Sequence, residues 1–208
     1  MKKVILLLTA LSLIGLTGCK SNEKKANELI RAELSKTLFD YESYQPIETI
    51  VKEAKNTLYN SQEGWKYASL FQVAFEKAKD YIEKAKNAQD YMDIYGPPSY
   101  YSSARSDRKY YEYKKEKEEY LDKAKTAYDI SSAMIDTLKV LNAKLDTAQI
   151  IGWEVTHRFR CKTKGGHAAI GNYKYIINKE FNNIIIRMDL DDEDHQDIIG
   201  VLGIATEK

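Results

Sequence analysis

The stretch Ile150–Lys162 reads IIGWEVTHRFRCK, and from Trp153 onward its hydrophobic residues alternate strictly with polar ones. A period of two places alternate side chains on opposite faces of a β-strand. The side chains predicted to face inward are Trp153, Val155, His157, Phe159 and Cys161. The stretch therefore predicts a half-buried strand, and it marks the point where the chain changes from helix to sheet.

Two more strands are predicted after this one. Gly165-Gly166 favours a turn, and the residues over 173–177 and 184–190 alternate again. Strands joined by short turns pair antiparallel. Residues 150–208 are therefore expected to form a small three-stranded antiparallel β unit that ends in a short helix over 197–204.

Upstream of residue 150, hydrophobic residues recur every three or four positions, which is typical of amphipathic helices. This spacing predicts a helix over 22–39, a second that begins at Pro46, a third that ends near Tyr95 and a fourth over 106–146. Two consecutive prolines in Gly96-Pro97-Pro98 cannot continue a helix, so the chain is expected to reverse there.

The two long helices on either side of this turn are expected to pack antiparallel. Counting a rise of ~1.5 Å per residue from the turn in both directions predicts neighbouring positions. The predicted pairs are Leu121 with Ile82, Tyr128 with Phe75, and Leu138 with Trp65. The predicted fold class is α+β: an antiparallel helical bundle or long helical hairpin over 26–149, followed by the three-stranded β unit over 150–208.

The N-terminus has the pattern of a secretory signal peptide. Two lysines precede the run Val4–Leu16, which is apolar apart from Thr9, Ser12 and Gly15. A membrane-spanning helix needs about 20 apolar residues, so this run is too short for one.

Leu16-Thr17-Gly18-Cys19 follows that run and resembles the lipobox of bacterial lipoproteins, in which leucine and two small residues precede a cysteine. The resemblance covers residues 1–19. It implies that residues 1–18 are a signal peptide that is removed, and that a diacylglyceryl group is attached to the thiol of Cys19.

The same resemblance implies where the protein resides. Two or three acyl chains, such as palmitate, on one residue give a stable anchor, since one chain alone binds only reversibly. Residues 19–25 would then be a short lipid-anchored tether. In lipoproteins of this kind, a residue other than Asp after the cysteine, here Lys20, implies the outer membrane of a Gram-negative bacterium.

Composition narrows the function classes. Without residues 1–18, 30 basic residues face 31 acidic ones, a formal charge of −1. This balance argues against a nucleic-acid partner, because such proteins usually carry a strong basic excess. If Cys19 carries lipid, Cys161 has no partner within the chain, so a disulfide framework is excluded.

The region around the predicted turn is the candidate ligand-binding site. Aromatic rings in loops can stack on sugars or pack against a partner protein, and the alternative is packing at the hairpin tip. The candidate residues are Tyr95, Tyr100, Tyr101, Tyr110 and Tyr111.

Catalytic and metal-binding patterns are not visible in the sequence. His157 and Cys161 would lie ~13 Å apart along a strand, too far to share one zinc ion, and His167 lies beyond the turn. We therefore expect no catalytic residue, no metal and no cofactor. The expected function is that of a non-enzymatic scaffold or adaptor, with a glycan-binding or other ligand-binding lipoprotein as the alternative.

Overall fold

A computed structural model describes residues 21–207, which form a mixed helix and sheet fold, so the predicted α+β class is confirmed. The first elements in the chain are α1 (21–37), β1 (Asp40–Lys55), a 3-10 turn (Leu58–Asn60), α2 (Gln62–Tyr95) and α3 (Ala104–Lys144). The last are β2 (Ile150–Lys162), β3 (Ala168–Asn178), β4 (Ile184–Asp189) and α4 (Glu193–Thr206). Within this part of the chain, no helix has an apolar stretch long enough to cross a bilayer.

The predicted signal peptide and Cys19 lie outside the described residues. Residues 21–25, which were predicted to belong to the tether, are helical and are the first described residues of α1. Glu, Lys and Ala have high helix propensity, and Glu23, Lys24, Lys25 and Ala26 extend the helix toward the N-terminus. The part of the predicted tether that the structure describes is therefore ordered helix.

The sheet has four strands in the order β1-β2-β3-β4, and every neighbouring pair is antiparallel. The prediction of three strands is wrong because β1 was missed. The predicted order is also wrong, because β1 precedes the two long helices and pairs with β2, which follows them.

β1 occupies the stretch in which a helix was predicted to begin at Pro46. As the first strand of the sheet, β1 has a free edge, and an edge strand tolerates a proline without losing a required hydrogen bond. Its register with β2 shifts between Asp40 and Gln45, and again between Pro46 and Glu48. Such irregularities interrupt the period of two that would have indicated a strand in the sequence.

One face of the sheet packs against α1. In β2, Val155, His157 and Phe159 are buried while Arg158 and Arg160 are exposed, which confirms the predicted alternation. Each fully buried aliphatic or aromatic side chain stabilises the fold by ~1.5–3 kcal/mol. The buried members of this core are Ala26, Ile30, Leu34, Val155, Phe159, Tyr175 and Ile177.

Phe159 fills the space in front of its β3 neighbour, Gly171. A Cβ atom at that glycine would lie 2.5 Å from the ring carbon Cζ of Phe159. A larger residue at this position would therefore require the ring of Phe159 to move.

The helices α2 and α3 form a hairpin whose seam is built from small residues, which allow two helices to approach closely. The buried residues of α2 are Gly64, Ala68, Ala74, Ala78, Ala85, Ala88 and Met92. Those of α3 are Ala124, Ala127, Ser131 and Leu138. The rings of Tyr81 and Tyr120 stack across the hairpin with centroids 6.4 Å apart, close to the predicted pairing of Ile82 with Leu121.

Leu138 is fully buried, as the predicted pairing requires, although its contact with Trp65 remains a prediction. The other predicted pairs do not form the seam, since Ile82, Leu121 and Tyr128 are 56%, 46% and 59% exposed. The buried positions of both helices are mostly alanines, whereas these larger side chains are exposed.

The described chain divides into two compact units. Residues 21–62 and 145–197 form the first, which contains the sheet and α1, and residues 63–144 and 198–207 form the second, which contains the hairpin. Both units draw residues from each of the predicted domains over 26–149 and 150–208.

Candidate functional site at the tip of the hairpin

The tip of the hairpin comprises the end of α2, the loop over 96–103 and the start of α3. Gly96 ends α2 in a left-handed conformation (φ +67°), and its N–H donates to the carbonyl of Met92 at 2.9 Å. A left-handed residue after the last helical turn is a common helix terminator, and Pro97 then prevents any continuation.

Serine side chains fix the loop. The hydroxyl of Ser102 accepts from the N–H of Ser99 at 3.0 Å and donates to the carboxylate of Asp107 at 2.5 Å. Ser103 caps α3, since its hydroxyl accepts from the N–H of Ser106 at 3.1 Å. The hydroxyl of Ser106 donates in turn to the carbonyl of Tyr95 at 2.9 Å and so ties the two helix ends together.

Stacked tyrosines support the tip from below. The ring of Tyr113 lies 4.8 Å from Tyr91 and 5.8 Å from Tyr95, and both pairs are nearly parallel. One turn further along α3, the ammonium group of Lys117 donates to the amide oxygen of Gln89 at 2.6 Å. The tip is therefore supported by contacts between α2 and α3 that hold the two helices in register.

Two of the five candidate tyrosines project fully from this support. Tyr100 and Tyr101 are 95% and 93% exposed, and their rings meet edge to face with centroids 5.4 Å apart and planes at 89°. Fully exposed aromatic rings in a fixed loop are available for contact with another molecule.

The other three candidates lie on the helices. Tyr95 is half-buried because it stacks on Tyr113, and Tyr110 is half-buried with its ring at 80° to that of Tyr111. Tyr111 is 58% exposed. The structure places all five near the hairpin tip, and their binding of a ligand remains a prediction.

Ile94 belongs to the same surface and was not predicted. It is 74% exposed on the last turn of α2, beside the two prolines of the loop. The sequence could have indicated its exposure, because Ile94 follows the buried Met92 by two positions and so lies off the buried stripe of α2.

A second polar cluster surrounds His157 in the sheet unit. The hydroxyl of Tyr44 lies 2.8 Å from Nε2 of the imidazole, and the hydroxyl of Thr49 lies 2.9 Å from Nδ1. Because Thr49 also donates to Oδ1 of Asn27 at 2.8 Å, its oxygen accepts from the imidazole, which assigns the proton to Nδ1.

Burial, assisted by the positive charge of Arg31, lowers the pKa of His157 to about 4. The ring is therefore neutral at physiological pH, fully buried and hydrogen-bonded at both nitrogens. These contacts make it a structural side chain of the core rather than an acid or base for a substrate.

Cys161 lies on the same face of β2 and is half-buried, with no disulfide. Burial and the nearby charge of Asp40 raise the pKa of its thiol, which disfavours the reactive thiolate. Among residues 21–207, no group of three or more His, Cys, Asp or Glu side chains is arranged to hold a metal ion.

No protein-family model, curated protein or solved structure matches this chain.

Proposed function

We propose that this protein is a lipid-anchored adaptor of the bacterial cell envelope. It binds a partner protein through the tip of the hairpin and does not catalyse a reaction. The single observation that carries the partner contact is the full exposure of Tyr100 and Tyr101 in a loop held by serine hydrogen bonds.

The physical reason is the balance between exposure and order. Burial of exposed aromatic rings against a partner favours binding, and a loop that is already fixed loses little conformational entropy when it binds. By helical rise, α2 extends ~51 Å from Gln62 to Tyr95, so the hairpin presents these rings far from the start of α2.

Ring geometry favours a protein partner over a glycan. Sugars stack on a flat aromatic face, whereas Tyr100 and Tyr101 are perpendicular and form no common platform. The neighbouring exposed side chains of Ile94, Pro97 and Pro98 add aliphatic surface, which is typical of protein interfaces. Glycan binding through the same rings is the second candidate function.

The anchor is proposed from the sequence of residues 16–19 and from the resemblance to a lipobox. It accounts for membrane attachment through acyl chains on Cys19, and Lys20 favours the outer membrane as the location. The proposed adaptor role needs no cofactor and no nucleic acid.

The anchor is tested by replacement of the thiol. Cys19→Ser removes the atom to which lipid would be attached, so metabolic labelling with a radioactive fatty acid should fall to background. The chain should also leave the membrane fraction. A variant that keeps the label would disprove the lipid anchor.

The tip is tested by replacing Tyr100 with a photo-crosslinking phenylalanine derivative in living cells. The matched control places the same group at Tyr128, which is also exposed on the hairpin but lies away from the tip. We expect a protein adduct of defined mass from position 100 that is absent from position 128 and is lost in Tyr101→Ala.

Two results would contradict this proposal in different ways. Adducts whose mass falls after treatment with a muramidase would favour the glycan alternative. Equal adducts from positions 100 and 128, or none at position 100, would exclude the tip as the contact surface.

A further inference from the structure

The rings of Trp153 and Phe181 stack at one end of the sheet, with centroids 5.2 Å apart and planes at 21°. The ammonium group of Lys25, on α1, lies 5.8 Å from the centroid of Phe181. We call these three residues the Trp153 cluster. Both rings pack against the core on one side and are half-exposed on the other.

The turn between β3 and β4 positions the cluster. The side-chain oxygen of Asn178 accepts from the N–H groups of Asn182 and Asn183 at 3.0 and 3.1 Å. Within this turn Phe181 adopts a left-handed conformation (φ +56°), which glycine or asparagine takes up far more readily than a bulky side chain. The indole N–H of Trp153 donates to the carbonyl of Lys179 at 3.2 Å and joins the strand to the turn.

The first described residues of α1 lie at this same end of the sheet. Asn22 and Glu23 line a shallow cavity together with Val51 and Trp153. Cys19 precedes Ser21 by two residues, and two residues span at most ~7 Å. Acyl chains on Cys19 would therefore be attached within ~7 Å of Ser21, which precedes the residues that line this cavity.

The side-chain chemistry of the cluster suits a lipid interface. Indole rings concentrate at the boundary between headgroups and acyl chains, and a lysine stem can lie along apolar surface while its charge stays in water. The charges nearby are mixed, with Lys24, Lys25 and Lys179 against Glu23 and Glu180. Contact would therefore depend on the aromatic rings more than on attraction to anionic lipid.

We infer that the Trp153 cluster is a membrane-contact site that inserts into the surface of the bilayer holding the lipid anchor. This inference rests on the proposed lipidation of Cys19 and extends it. Acyl chains alone would leave the sheet unit free to tumble, whereas a second contact beside them fixes which end of the sheet faces the membrane.

Fluorescence can measure this contact because the chain has only two tryptophans. In the lipidated Trp65→Phe protein, Trp153 is the sole reporter. The probe is a vesicle of phosphatidylethanolamine and phosphatidylglycerol that contains phosphatidylcholine brominated near the headgroup. We expect a blue-shifted emission and a roughly twofold loss of intensity with brominated lipid, as for an indole at the interface.

The matched control moves the reporter to the other end of α1. Tyr41 packs against the same core and stacks on Tyr44, so the lipidated triple variant Trp65→Phe, Trp153→Phe, Tyr41→Trp carries one indole there. Its emission should be unchanged by brominated lipid. In the Trp65→Phe background, Phe181→Asn should reduce the quenching of Trp153 by about half or more, because one of the two inserted rings is gone.

The outcomes separate the contact from the anchor. Protein that floats with the vesicles but shows no quenching of Trp153 would keep the anchor and overturn the contact. Equal quenching at positions 153 and 41 would also overturn it, since the sheet would then have no preferred end at the membrane. Protein that carries no fatty-acid label and stays soluble would overturn both.

Discussion

Acidification should destabilise this protein through one side chain, His157. In the fold this ring is fully buried, donates from Nδ1 to Thr49 and accepts at Nε2 from Tyr44. A proton on Nε2 would remove the acceptor for the Tyr44 hydroxyl and place a charge in the core near Arg31. The unfolded chain carries that proton at no such cost.

The magnitude follows from the two pKa values. The folded pKa of about 4 lies below the unfolded value of 6.5. The stability contributed by neutral His157 is therefore fully present above pH 6.5, falls as the pH drops below it, and stops falling near pH 4. Between about pH 7 and about pH 4.5, linkage predicts that protonation of this residue alone lowers the free energy of unfolding by ~2–3 kcal/mol.

Denaturant unfolding over this pH range measures the effect, with His157→Gln as the matched variant. Glutamine does not titrate, so the parent should lose ~2–3 kcal/mol more than the variant between the two pH values, while the shared carboxylates cancel in the difference. Equal losses in parent and variant would refute the reasoning. So would an NMR titration in which the imidazole of His157 in the folded protein changes protonation near pH 6.5.

Two further stability predictions come from packing. Leu138→Ala should cost ~2–5 kcal/mol because the side chain is fully buried in the hairpin, whereas Val140→Ala, at a position that is 53% exposed, should change stability by less than ~0.5 kcal/mol; equal effects in thermal unfolding would place Leu138 outside the core. Gly171→Ala should cost ~1–3 kcal/mol because its Cβ would meet the ring of Phe159, while Gly200→Ala, where a Cβ meets nothing within 4 Å of it in helix α4, should stabilise by ~0.5–1 kcal/mol. A neutral Gly171→Ala would show that the Phe159 ring can move.

The sequence predicted those parts of the fold whose signals are local. The alternation around Val155 and Phe159 is regular because one face of β2 is buried against α1 and the other meets solvent. The hairpin turn was predictable because two prolines cannot continue a helix.

β1 was missed because its decisive partner is distant in sequence. Thr49 pairs with His157, and Val51 pairs with Val155, about a hundred residues further along the chain. The irregular register near Pro46 removed the local period, and the remaining spacing of Ile47, Ile50 and Val51 resembled a helix. The local pattern cannot distinguish a strand from a helix where pairing with a distant strand determines the secondary structure.

The candidate sites also differ in how much of each could be predicted from local sequence. The tyrosine-rich tip was located by composition beside two prolines, but the difference in exposure between Tyr100 and Tyr95 depends on the stacking partner Tyr113. The Trp153 cluster joins α1, β2 and a turn after β3, so no single stretch of the sequence indicates it.

The separation of β1 from β2 has a consequence for the order in which the protein folds. The chain leaves β1 at Lys55 and returns opposite it at Ile150, where the N–H of Asn56 donates to the carbonyl of Gln149 at 2.9 Å. Closing so long a loop in an unfolded chain costs ~3 kcal/mol more than closing a tight turn.

A helical hairpin that folds first removes much of this cost, because two antiparallel helices bring the end of the hairpin back near its beginning. Helical contacts are local and form quickly, whereas pairing between distant strands is slow. We therefore expect the helices to form before the sheet closes. Until β2 pairs with it, β1 has two unpaired edges. The charged side chains of Lys52, Glu53 and Lys55, together with Pro46, disfavour its pairing with another chain.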